Sequence, residues 1–240
     1  MGLDTKLFNY CERGLDPTFW AEPTNAITNA AFLVAAGFAA ASWRAQPAGT
    51  RRFATGFFIL VLTAIGIGSF LFHTYATVWA VIADVAPIGV FMISYFAYAL
   101  RVHLRLPWIV VAAGTIGFIV LLQGAGDISC GGRPCFNGSL GYAPALAAML
   151  VIGPLMLVWK RPGGTLVLGA GLVFALSLTL RTLDYTLCEA VQAHGHRIGT
   201  HFAWHILNAL TLYLLIKAAL IAEAAHAASS SSLAAHRAPR

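Results

Sequence analysis

Gly199-Thr200-His201-Phe202-Ala203-Trp204-His205 heads an apolar run that extends to residue 222, long enough to cross a membrane as a helix. His201 and His205 are four apart. On a helix they sit about 40° apart around the axis, one turn above the other, so both rings reach one metal ion. A second polar cluster, Ser69-x3-His73, closes another apolar run and is followed by Asp84. Three histidines, a serine and a carboxylate at one membrane level make a hydrolytic zinc site.

The composition around these clusters is that of a polytopic membrane protein. Of 240 residues, 59% are hydrophobic and 10% charged, the mean hydropathy is +0.76, and apolar runs of about 18 residues or more recur along the chain. The fold expected is all-α, with seven transmembrane helices at 25–43, 54–74, 78–100, 107–123, 142–159, 164–181 and 201–222. Pro87 and Pro154 fall inside two of them, where neighbouring helices satisfy the freed carbonyls. Residues 1–24 read as an extracytoplasmic amphipathic lead-in with Phe19 and Trp20 at the interface. That segment carries Asp4, Lys6, Glu12, Arg13, Asp16 and Glu22 and has no apolar centre, so it does not read as a cleavable signal peptide. Residues 25–222 form the seven-helix hydrolase domain, and 223–240, with the Ser229–Ser232 run, read as a disordered cytoplasmic tail.

The net charge of +6 does not imply a nucleic-acid partner, because the basic residues sit in short loops where they set orientation. Arg44, Arg51, Arg52, Arg101, Arg105, Lys160, Arg161, Lys217, Arg237 and Arg240 fall on one side of the membrane. Lys6, Arg13, Arg133, Arg181 and Arg197 fall on the other. This bias puts the N-terminus outside and the C-terminus in the cytoplasm. His73, Asp84, Asp184, His201 and His205 then all lie near the outer leaflet, and the active site faces the periplasm or lumen. Compact, Ala-rich loops fit a bacterial inner membrane. Nothing in the sequence demands an obligate protein partner.

Cys11, Cys130, Cys135 and Cys188 map to the outer side, and an even count on an oxidising face reads as disulfides. Cys130-Gly-Gly-Arg-Pro-Cys135 closes a tight local loop. Cys11 with Cys188 would pin the lead-in against the loop between helices 6 and 7. Four free thiols or a second metal site are the alternatives.

Catalytic zinc takes three protein ligands and keeps a fourth position for water, and His73, His201 and His205 supply the three. Asp84 is the carboxylate placed to take a proton from that water. Ser69, one turn before His73, is placed to donate a hydrogen bond to an oxyanion. Interhelical hydrogen bonding is the blander explanation for each residue singly. Polar groups buried in a bilayer cost roughly 2–3 kcal/mol or more when unpartnered, so several at one depth need a common purpose. A bis-histidine haem would leave Asp84 and Ser69 without a task. His194 and His196 lie in the loop before helix 7, and His103, His226 and His236 lie on the wrong side. Asp184 either accepts from a ligand histidine or pairs with Arg181.

Several pieces resemble the alkaline ceramidase family. They are Tyr10-Cys11-Glu12-Arg13, Phe19-Trp20-Ala21-Glu22-Pro23-x-Asn25-x3-Asn29, Gly68-Ser69-Phe70-Leu71-Phe72-His73 with Asp84, Asp184-x3-Cys188 and Gly199-Thr200-His201-x3-His205. Members of that family are seven-helix zinc amide hydrolases, in a superfamily shared with adiponectin-type receptors. The resemblance implies zinc on His73, His201 and His205, an oxyanion-stabilising serine at Ser69, a water-activating aspartate at Asp84 and a Cys11–Cys188 disulfide. Some animal members also bind calcium beside the amphipathic start. The corresponding residues here are Asn9, Glu12 and Glu22, with Arg13 beside them and Glu12–Arg13 pairing as the competing reading. The implied activity is zinc-dependent hydrolysis of ceramide-like N-acyl sphingolipids to a long-chain base and a fatty acid, with a membrane lipid as substrate. A seven-helix lipid receptor and a phospholipase-like lipid esterase on the same scaffold are the alternatives.

Overall fold

A computed structural model describes residues 2–47, 53–193 and 195–237, without the side chains of Arg133 and of residues 229–237. Arg51, Arg52, His194 and Arg240, and the side chains of His236 and Arg237, lie outside the described residues. The chain forms α1 (Pro23–Thr28), α2 (Ala30–Arg44), α3 (Phe53–Tyr75), α4 (Val78–Tyr98), α5 (Trp108–Gly126), α6 (Ala143–Val158), α7 (Gly164–Thr182) and α8 (His201–Arg237). Among the described residues, seven stretches are long and apolar enough to span a membrane: Pro23–Arg44, Phe53–Tyr75, Val78–His103, Trp108–Gly126, Cys135–Val158, Gly164–Thr182 and His201–Ala228. Their outward faces carry Leu33, Phe38, Leu60, Ile116, Val120 and Leu172, all exposed. In a bilayer, side chains of this kind face lipid.

Three boundaries differ from the apolar runs. The third span continues through a π-helical turn at Ala99–His103, and the fifth begins in a 3-10 segment, Cys135–Tyr142. The last helix runs to Arg237 rather than stopping at 222 before a disordered tail. Alanine, the strongest helix former, is frequent there and carries the helix beyond its apolar stretch.

α8 packs on α1, α2, α3 and α7, and α3 packs on α4, so α8 and α3 meet near the bundle axis. Close approach of α3 and α4 is set by Gly68: a Cβ there would fall inside contact distance of the Ala83 carbonyl oxygen. Small residues permit such backbone contacts between membrane helices. Gly68 precedes Ser69 and Ala83 precedes Asp84, so this one contact brings two polar residues of different helices to the same level. At the same end, short two-stranded ribbons pair Ser129–Cys130 with Arg133–Pro134 and Gln192–Ala193 with His196–Arg197. The expected disulfides, Cys11–Cys188 and Cys130–Cys135, are both formed.

Gly68→Ala should force α3 from α4 and destabilise the protein by about 1–3 kcal/mol. Thermal unfolding in detergent measures it, and an unchanged midpoint would mean the helices part at little cost.

Candidate metal centre

His73 sits in the last turn of α3, and His201 and His205 sit in the first two turns of α8. They are 1%, 2% and 1% exposed. One donor nitrogen from each lies within 4.8 Å of the others. The chain therefore brings together the three histidines that the sequence singled out.

The outward-facing nitrogens decide what the inner ones can do. Nδ1 of His73 lies 2.6 Å from Glu22 Oε2. Glu22 also pairs with Arg13 Nε and accepts from Asn25 Nδ2 at 3.1 Å, as a carboxylate does. Arg13 and His73 offset the burial cost of Glu22 and hold its pKa below the ordinary glutamate value. Glu22 thus takes the proton-bearing Nδ1–H of His73. Nδ1 of His205 lies 3.0 Å from Thr28 Oγ1. That hydroxyl's only proton is directed at the carbonyls of Thr24 and Asn25, at 2.8 and 3.0 Å. Thr28 must then accept from His205 Nδ1–H. Both rings are fixed in the tautomer with a bare Nε2, as ligand histidines are.

Those two bare nitrogens face each other at 3.1 Å. With both imidazoles neutral, neither carries a hydrogen for the other, and their lone pairs repel. A shared cation removes that repulsion. Imidazole nitrogens roughly 2.0–2.1 Å from one tetrahedral ion stand about 3.3 Å apart, close to the spacing here. His201 completes the set; its ring stacks on Tyr10 with centroids 3.8 Å apart, and its Nδ1 is buried without a hydrogen-bond partner. The donor set fits a metal ion.

Ser69 and Asp84 are both buried, and Ser69 and His73 each lie in electrostatic range of Asp84. Asp84 Oδ1 is buried with no hydrogen-bond partner.

A match to the family model described as Ceramidase spans residues 4–236. The chain belongs to the ceramidase family. Comparison with curated proteins finds no match. Membership makes this ceramidase-family protein a hydrolase of the ceramide type, with a lipid substrate.

Asp184 reaches a candidate ligand histidine through that residue's backbone, not its ring, and bonds no Arg181 nitrogen among the described contacts. Its Oδ1 accepts from the backbone N–H groups of Thr200 and His201, at 2.8 and 3.0 Å, and Oδ2 from that of Cys11 at 2.9 Å. It caps α8 rather than holding an imidazole. A Cβ on Gly199 (φ +62°) would collide with this carboxylate, so glycine is required there. Arg181 bonds Ser139 Oγ at 3.0 Å and lies over the rings of Tyr142 and Trp204.

The residues expected near calcium have other partners. Glu12 accepts from the backbone N–H groups of Thr24 and Asn25, both at 2.8 Å, and caps the start of α1. Glu22 holds His73, Asn9 is exposed, and Arg13 pairs with Glu22 instead of Glu12. His196 is exposed in its ribbon, while His103 is buried beside Tyr95 as the last residue of the π-helical turn. The partners missed by sequence reasoning are Glu22 and Thr28. Their side of each contact lies 51 and 177 residues from its histidine, and no local spacing signals either one.

Removing the α8 cap with Asp184→Ala leaves three backbone donors unpaired and should cost about 1–3 kcal/mol. Thermal unfolding of the full chain in detergent reads this, and a wild-type midpoint would contradict the capping role.

Proposed function

We propose that this protein is a zinc-dependent intramembrane amidase that cleaves ceramide-like N-acyl sphingolipids into a long-chain base and a fatty acid. The observation carrying this reading is the pair of bare Nε2 atoms of His73 and His205, held 3.1 Å apart by Glu22 and Thr28. Three neutral imidazoles beside a carboxylate are the donor set of catalytic zinc, with one position left open. Zinc bound there would polarise the amide carbonyl and lower the pKa of a water molecule to about 7.

The chain's own groups divide the remaining work. Asp84 takes the proton from the attacking water as the new C–O bond forms, then returns it to the nitrogen as the C–N bond breaks. Ser69, buried near Asp84, donates to the oxygen that gains negative charge. Burial of both in the bundle strengthens these interactions by excluding bulk water.

An apolar cavity supports a lipid substrate. Its upper wall includes Ile65, Ile88 and Asn208. Each is one helical turn deeper than Ser69, Asp84 and His205 respectively. Its lower wall includes Tyr95, whose hydroxyl donates to the Leu215 carbonyl at 2.8 Å and lies 3.2 Å from His103 Nε2. Asp84 and Tyr95 are on one helix and about 16 Å apart along it. The cavity runs from just below the histidine level toward the opposite end of the bundle and is lined mainly by apolar side chains. An extracytoplasmic site is supported by both disulfides at the metal-centre end, since disulfides persist in oxidising compartments. Arg44, Arg101, Arg105, Lys160 and Arg161, near the opposite ends of the spans, agree with that orientation. Ser69 and Asp84 beside the triad favour an enzyme over a receptor.

Release of fatty acid from labelled ceramide should fall by roughly 100- to 10,000-fold in Asp84→Asn and comparably in His205→Ala. Ser69→Ala should lose about 100- to 1,000-fold. Undiminished turnover in a folded Asp84→Asn protein would remove the mechanism, and faster cleavage of matched esters than amides would favour the esterase. Tyr95→Ala should shift the preferred N-acyl chain to longer lengths by a few carbons, read from rates across a chain-length series. An unshifted profile would place the tail elsewhere.

A further inference from the structure

Arg13 belongs to the lead-in segment, yet it is 2% exposed. Its guanidinium has five N–H donors and meets five oxygen acceptors. Nε binds Glu22 Oε1. Nη1 donates to the carbonyls of Asp16 and Thr18, at 3.0 and 2.9 Å. Nη2 donates to those of His73 and Thr74, at 3.0 and 3.4 Å. The last two carbonyls lie in the final turn of α3, where helical carbonyls lack an intrahelical partner and a cation is favoured. Arg13 therefore touches both ends of the same relay, the backbone of His73 and the carboxylate that receives His73 Nδ1–H.

Tethering the lead-in does not account for this arrangement. The Cys11–Cys188 disulfide already fixes the segment two residues away. Leu7 N–H donates to the Ala76 carbonyl at 2.7 Å, and Val78 N–H donates to that of Thr5 at 3.1 Å. Tyr10 stacks on His201. A buried cation adds what these cannot: it balances the charge of Glu22 and fixes the direction of its carboxylate. The pocket around it is made of oxygens, the ligand set of a hard cation, and a planar fork with five donors satisfies every one of them.

We propose that Arg13 is a positioning residue, an internal cation that fills an all-oxygen site and locks Glu22 onto Nδ1 of His73, so that Nε2 of His73 stays aimed at the metal. The inference rests on zinc binding at the histidine triad. Outer partners of a ligand histidine govern metal retention as well as turnover.

The test is the rate at which zinc leaves the purified, zinc-loaded full chain for a chromogenic chelator, for wild type, Arg13→Ala and Arg13→Lys. Release from Arg13→Ala should be about 10- to 100-fold faster than from wild type. Arg13→Lys, which keeps the charge but has three donors, should fall between them. Low-millimolar guanidinium should slow release from Arg13→Ala and leave wild type unchanged. In a Glu22→Gln background the Arg13→Lys effect should disappear, because the influence passes through Glu22; this comparison decides the matter if Arg13→Ala does not fold. Wild-type release rates in the Arg13 variants, no response to guanidinium, or a full Arg13→Lys effect without Glu22 would each overturn the assignment. A wild-type protein that holds no zinc would instead defeat the reading on which the inference rests.

Discussion

Two lone pairs pointing at each other inside an apolar bundle are unfavourable unless something positive lies between them. The bare Nε2 atoms of His73 and His205 are in that position, and neither ring is free to turn away. Glu22 holds one imidazole by its far nitrogen and Thr28 holds the other. The sequence spends a buried glutamate, a buried arginine and a helix-end threonine on orienting these two rings. That constraint links the lead-in segment to the chemistry, because Glu22 and Arg13 come from it and His73 comes from α3.

The fold puts these groups in place by simple means. Gly68 lets α3 and α4 touch, which sets Ser69 beside Asp84. Asp184 and Gly199 together start α8 at His201, so that the first two turns present both rings inward. The Cys11–Cys188 disulfide closes the lead-in over the same end. Each device acts at one end of the bundle, while toward the opposite end of the cavity Tyr95 bonds to α8. A polar end above an apolar cavity matches the shape of a lipid amide, whose bond to be broken adjoins a long tail.

Much of this was legible in the chain. Apolar runs locate seven spans because a bilayer demands length and hydrophobicity of every helix that crosses it. They miss the π-helical turn at Ala99–His103 and the extension of α8, where hydrogen bonding and helix propensity, not hydrophobicity, set the end. His201 and His205 follow from helical spacing, and His73, Ser69 and Asp84 from their depth. Glu22 was visible as an acid near the lead-in, but its contact with His73 bridges 51 residues and depends on how the segment folds back. Spacing suggests a side-chain partner for Asp184, whereas it serves three backbone N–H groups. Sequence shows that a carboxylate needs donors, not which donors reach it first.

The most direct measurement is zinc K-edge X-ray absorption on the purified full chain after zinc loading. The account predicts one tightly held zinc with three imidazole nitrogens at about 2.0–2.1 Å and a light oxygen atom completing four-coordination. A folded, catalytically active protein whose zinc signal lacks imidazole scattering, or that works with no metal at all, would contradict it.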